Sequence, residues 1–192
     1  MDLRGWILEQ HEGIRLMLQA NILSRVPTDK LGVRPSRASN SIAWLLWHIA
    51  RCEDVAVNAI VRGEPQLLLR EEWGPRLGVD DSRLGTAFTD EEVGDLGSRL
   101  DMDALLRYWE AVTLETRSWL EEADLEQLDW TPDVRDRLGA APAVVPKEGE
   151  WLLERWSGQP ARFFLRMTVI GHEYLHLGEM MAIRGQLGIR GL

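Results

Sequence analysis

Two histidines late in the chain, His172 and His176, stand four residues apart in Thr168-Val169-Ile170-Gly171-His172-Glu173-Tyr174-Leu175-His176-Leu177-Gly178-Glu179-Met180-Met181-Ala182-Ile183. Apolar residues recur there at Val169, Ile170, Leu175, Met180 and Ile183, close to the 3.6-residue period of a helix. Helical residues four apart lie one turn above the other on one face. Two imidazoles so placed can chelate one divalent cation. The chain holds only four histidines, and a third, His48, sits in the apolar run Trp44-Leu45-Leu46-Trp47-His48-Ile49-Ala50. If the two helices pack together, His48, His172 and His176 form one three-histidine site. The plainer reading of the same spacing is core or interface histidines, each making a single hydrogen bond.

The pair also spells H-E-x-x-H, in which a metallopeptidase glutamate, here Glu173, activates metal-bound water. The long form of that motif wants a glycine three residues after the second histidine and another histidine three beyond. This chain has Glu179 and Ala182 at those places, with the glycine at 178. The glutamate form takes its last ligand further on, usually from another helix, and only sixteen residues follow His176. Peptidase is therefore the weaker reading. Glu173 and Glu179 are the two carboxylates placed to act in catalysis. Glu173 points about 100° around the helix from His172, and solvation is its alternative. Glu179, three residues after His176, suits a partner of that ring or a general base, and its alternative is a surface salt link.

His11, beside Glu12, reads as a surface residue, with reach into the site from the first helix as the alternative. Cys52 follows His48 by one turn and borders the same face. A buried, inert thiol is its commoner fate, and a soft ligand or nucleophile the other. Asp54 and Arg184 are weaker candidates. Met180 and Met181 read as packing residues.

Four helical segments must position these groups. Residues 3–24 carry a stripe of Trp6, Ile7, Ile14, Met17, Leu18 and Ile22, broken by Pro27, Gly32 and Pro35. Residues 28–40 form an extended connection ending in Ser39-Asn40-Ser41, any of which can cap the next helix. The second helix runs over about 41–62 and stops at Gly63-Glu64-Pro65; Asp54, Asn58 and Arg62, one turn apart, mark its wetter face. Residues 66–99, with Gly78, Gly85, Gly94 and Gly97, read as a long loop with short helical turns. The third helix spans about 101–122. Residues 123–159 form a second long connection with a short helix at Trp151–Trp156. The fourth helix spans about 160–186, with Pro160 suited to its first turn. The pattern predicts an all-α four-helix bundle with long crossover connections, one domain over 1–192.

Composition narrows the function. At 192 residues, 45% hydrophobic and 28% charged, the chain is long enough for one good core and typical of a folded soluble protein. Nine tryptophans suit a core or a pocket wall. A net charge of -9 without a basic run argues against nucleic-acid binding. One cysteine allows no intrachain disulfide and agrees with a cytoplasmic location. The first residues do not read as a signal peptide, and no window is apolar enough for a membrane span.

These residues resemble the DinB/YfiT-like superfamily of four-helix-bundle metalloenzymes. That family includes mycothiol-dependent maleylpyruvate isomerase and the damage-inducible DinB proteins, which are distinct from the DNA polymerase of that name. One anchor is Asn40-Ser41-Ile42-Ala43-Trp44-Leu45-Leu46-Trp47-His48-Ile49-Ala50-Arg51-Cys52-Glu53, similar to the helix that carries the first histidine ligand. The other is His172 to Met180 followed by Arg184-Gly185-Gln186-Leu187-Gly188, similar to the family's last long helix. The resemblance implies His48, His172 and His176 as ligands of zinc or nickel, with water in the open positions. It also implies a homodimer and, in some members, a low-molecular-weight thiol as cosubstrate. The isomerase branch has a glutamate ligand where this chain has histidine, so the all-histidine type fits better.

The leading expectation is thus a divalent-metal-dependent enzyme acting on a small molecule. It would be a thiol-dependent transferase or isomerase, or a hydrolase using metal-bound water. Two other classes stand beside it: a metal- or small-molecule-binding bundle without turnover, and a helical dimer whose histidines only pack.

Overall fold

Four long helical rods carry the core of the computed structural model, which describes residues 2–79, 81–140 and 146–189. The first, Leu3–Leu18, starts where the Asp2 carboxylate accepts a hydrogen bond from the Gly5 N–H at 2.8 Å, and it continues through a wider π-type turn, Gln19–Leu23. The second opens where the Ser41 hydroxyl accepts from the Trp44 N–H at 3.1 Å. It runs Ile42–Glu53, widens to π geometry over Asp54–Arg62, and stops at Gly63, whose φ of 70° is left-handed. The third, Met102–Glu122, is capped by Asp101, which accepts from the Ala104 N–H at 2.8 Å. The fourth follows Pro160 as Ala161–Phe164, a π-type stretch Leu165–Gly171, and then His172–Gln186. These limits agree closely with the helices expected from the sequence.

The first helix packs on the third and fourth, and the second on the same two. Around the bundle the order is first, third, second, fourth. The connections from first to second and from third to fourth therefore cross over the bundle, as expected. The second helix is buried along its whole α-helical length, Ile42–Glu53, which explains its nearly continuous apolar sequence. One core cluster gathers around Leu45, Trp47, Leu105 and Met180, and the other around Val55, Ile60, Leu120, Phe164 and Val169. Trp47 and Phe164 are fully buried, and each such side chain contributes roughly 1.5–3 kcal/mol by leaving water. Met180 sits in the core, as its packing assignment requires.

Three expectations need correction. Residues 66–99 hold more helix than a long loop: Leu67–Arg70, Trp73–Leu77 and the ten-residue Asp90–Arg99. The last begins with a capping box, Thr89 and Glu92 each satisfying the other's backbone N–H. Gly97, which argued for a loop, has a packing reason: a Cβ there would stand 3.1 Å from the Ser41 hydroxyl. The second connection contains Leu125–Gln127, Val134–Ala140 and a helix Pro146–Trp156 that extends the expected Trp151–Trp156 segment upstream.

The third correction concerns the wetter face of the second helix. Asp54 and Asn58 are buried. Asp54 accepts hydrogen bonds from the N–H groups of Leu67 and Leu68 at 2.7 and 2.9 Å, from the Asn58 amide at 2.8 Å and from the Tyr108 hydroxyl at 2.7 Å. A buried carboxylate with that many donors is well satisfied, so the polar stripe faces the connection and not the solvent.

Candidate metal centre

His48 projects from the second helix, and His172 and His176 from the fourth. Their Nε2 atoms converge, with His48 to His172 at 3.2 Å and His172 to His176 at 3.1 Å. Among the described residues, these three form the group of histidine, cysteine and acidic side chains placed to hold a metal ion. The outer nitrogens decide whether the group fits. His48 Nδ1 donates to the Leu84 carbonyl at 2.5 Å, and His176 Nδ1 donates to Glu179 Oε2 at 2.9 Å. Those bonds place the protons on Nδ1 and leave lone pairs on both Nε2 atoms, facing His172. His172 Nδ1 is buried with no bonding partner, so no bond holds the His172 proton there; the inward lone pairs are served either by a proton on His172 Nε2, which reaches one of them at a time, or by a cation that all three nitrogens share. Ligand bonds of about 2.0–2.1 Å at tetrahedral angles would separate such nitrogens by about 3.3 Å, close to what is seen. The residues fit a divalent metal.

Burial tunes the donors. It pushes the His48 imidazole down to about 4, with His176 acting in the same sense, while the bond to Leu84 opposes it. Burial also pushes His172 down to about 3, reinforced by His48 and His176. Both rings therefore stay neutral, with a free lone pair to offer, well below neutral pH. The hydrogen bond to His176 holds the Glu179 carboxyl below its usual range, and a further bond from the Asn40 side chain at 2.8 Å acts in the same direction. Glu179 thus takes the role of partner to the His176 ring. Trp44 stacks on His48 at 4.9 Å between ring centres.

The three imidazoles line a pocket of about 220 Å³ whose walls include Trp44, Trp151, Trp156 and Met167. Cys52 also borders it, buried, with Sγ 3.8 Å from His48 Nδ1. A larger cleft of about 740 Å³ runs along Trp6, Phe163 and Ile170. It contains none of the converging imidazoles, so the smaller pocket is the functional candidate.

Other expected residues lie elsewhere. Glu173 is buried, not solvated. Burial raises its carboxyl well above the ordinary range, and the Glu53 carboxylate beside it adds to the shift. It is not among the described residues lining the metal pocket, and this placement removes the geometric basis of the peptidase reading. His11 is buried too, with Nε2 3.4 Å from Glu53 Oε1; it is not a surface residue beside Glu12, which instead pairs with Arg15 and Arg117. Asp54 serves the buried network described above. Arg184 donates to the Asn21 carbonyl at 2.5 Å. Sequence reasoning missed Asn40 as a partner of Glu179, having weighed it only as a helix cap. It also missed the Leu84 carbonyl, a backbone group with no side-chain signature.

The DinB superfamily profile matches residues 13–180. The chain belongs to the DinB superfamily. A crystal structure of a conserved protein from Enterococcus faecalis shares the fold of this DinB-superfamily protein. Its TM-score is 0.72 at 18% identity, over 98% of this chain and 99% of that one. No curated protein matches the sequence. The three-histidine cluster therefore sits in an all-α DinB/YfiT-like fold with crossover connections. No helix among the described residues is long and apolar enough to cross a membrane.

Proposed function

We propose that this DinB-superfamily protein is a divalent-metal-dependent enzyme acting on a small molecule, with His48, His172 and His176 as ligands of zinc or nickel. The observation that carries the reading is the convergence of three Nε2 atoms, two of them with lone pairs fixed inward by bonds at the opposite ring nitrogens. A divalent cation on three neutral imidazoles keeps its full charge, lowers the pKa of a coordinated water or thiol and polarises a substrate oxygen. The chain supplies the rest. Leu84 orients His48, and Glu179, steadied by Asn40, orients His176. The tryptophan walls offer flat apolar surface to a substrate. Glu179, partly exposed and held as a carboxylate against the outer nitrogen of His176, lies behind that ring and would act on a proton only through it.

The same proposal extends to a low-molecular-weight thiol as cosubstrate in a transferase or isomerase reaction, with metal-water hydrolysis as the alternative chemistry. A homodimer of one domain over 1–192, acting in the cytoplasm without nucleic acid, completes it; the acidic charge supports the absence of nucleic acid and the single buried cysteine the cytoplasmic location. The test is elemental analysis of purified protein, repeated on His48→Ala and His176→Ala. About one zinc or nickel per chain in wild type, lost in both variants, is the expected result. Wild-type protein that takes up neither metal after reconstitution would refute the proposal.

A further inference from the structure

Arg51 is fully buried, three residues after His48 on the second helix. Its guanidinium spans two groups of partners. On one side Nη1 donates to Asp54 at 3.2 Å and to the Tyr108 hydroxyl at 3.1 Å, and Nη2 donates to the Gln66 side chain at 2.7 Å. On the other side Nη2 donates to the Ser82 carbonyl at 2.7 Å and Nε to the Arg83 carbonyl at 3.4 Å. The next carbonyl along, Leu84, is the acceptor for His48 Nδ1. Gly85 then adopts φ 91° and lies flat on two rings: a Cβ there would come within 2.8 Å of Trp47 and 2.9 Å of Trp44. Residues 82–85 thus form a strap fixed from below by Arg51 and seated from above on Trp44 and Trp47.

We infer that Arg51 is a positioning residue for the metal centre: by holding the Ser82 and Arg83 carbonyls it aims the Leu84 carbonyl at His48 Nδ1 and so keeps the His48 Nε2 lone pair turned into the site. The inference rests on the metal reading above only in its consequence for affinity. The forked guanidinium suits this task because it reaches carbonyls and carboxylate together in fixed directions. A lysine ammonium retains the charge beside Asp54 but cannot serve both sides at once.

The test uses metal-free protein labelled with nitrogen-15 at histidine, and reads by NMR which His48 ring nitrogen carries the proton, with His48→Gln identifying the signal. Wild type should show a single Nδ1–H form. Arg51→Lys should show both forms exchanging, and its zinc affinity, measured by chelator competition, should fall by about 10–100-fold, the usual effect of losing an outer partner of a ligand. Gly85→Ala perturbs the strap from its other face with Arg51 intact, and should do the same. Cooperative unfolding of each variant confirms that it is folded; should Arg51→Lys fail to fold, Arg51→Gln, whose amide can reach only one of the two sides, takes its place. A fixed Nδ1–H form with wild-type zinc affinity in the folded variants would overturn the inference, as would an effect in one folded variant and not the other. Because the proton position is read without metal, wild-type protein that binds no zinc would refute the proposed function and leave this inference to be settled by the NMR result.

Discussion

Acidifying the metal-free protein from about pH 7 to about pH 4.5 should destabilise it chiefly through His48 and His172. In the unfolded chain an imidazole titrates near 6.5, whereas burial pushes His48 down to about 4 and His172 to about 3. The folded state therefore binds fewer protons than the unfolded one across this window. The stabilisation is fully present above the unfolded value and is lost as pH falls towards the folded values. At pH 4.5, some two units below the free value, each ring should remove roughly 2–3 kcal/mol, at about 1.4 kcal/mol per unit. Two such losses are a large share of the roughly 5–15 kcal/mol that holds a typical domain together. The assay is urea denaturation followed by tryptophan fluorescence at several pH values, on wild type, His48→Gln and His172→Gln. Each variant should lose about half of the wild-type fall, whatever its stability at neutral pH. The lowered carboxyls of Glu12, Glu92 and Glu179 act below about pH 4.5, and Glu173 acts in the opposite direction. Both contributions are common to all three proteins and cancel in the comparison. An identical pH slope in wild type and both variants would refute the argument that buried neutral imidazoles dominate this window.

Two further outcomes follow from the site and its surroundings. The raised Glu173 carboxyl means that the folded state holds a proton the unfolded chain has released, so this group's contribution falls as pH rises above the unfolded value. Glu173→Gln keeps a neutral side chain of the same shape and should be more stable than wild type at pH 7–8, with the gap closing towards acid in the same urea assay. Glu179→Gln should weaken zinc by about 10–100-fold in chelator competition, because the amide oxygen is a poorer acceptor for His176 Nδ1 than the carboxylate; unchanged affinity would remove Glu179 from the centre.

Much of this architecture was legible in the sequence because it follows from period and spacing. The His172–His176 pair declares itself by one helical turn, and the apolar run around His48 announces a helix buried on more than one face. What was not legible depends on elements meeting in space. The Leu84 carbonyl is a backbone group, identical in every sequence. His11, Glu53 and Glu173 look like separate surface residues because they stand on three helices that come together only in the bundle. Asp54 and Asn58 form a polar stripe, and polar stripes usually meet water; here the stripe meets backbone N–H groups of the following connection. The Asp90–Arg99 helix was hidden by Gly94 and Gly97, two residues that argue for loops when nothing shows what they pack against.

Ligands placed as proposed also impose an order of events on the making of this protein. His48 and His172 are separated by 124 residues, which at about 5–20 residues per second take roughly 6–25 s to synthesise. Throughout that interval His48 is a lone imidazole, and the second helix lacks the fourth, against which it is to be buried. No metal can be captured at this centre while the ribosome is still extending the middle of the chain. With the centre proposed here, loading would wait until the fourth helix has emerged and docked, so the ion would join a nearly finished bundle and tie its earlier-made half to its latest.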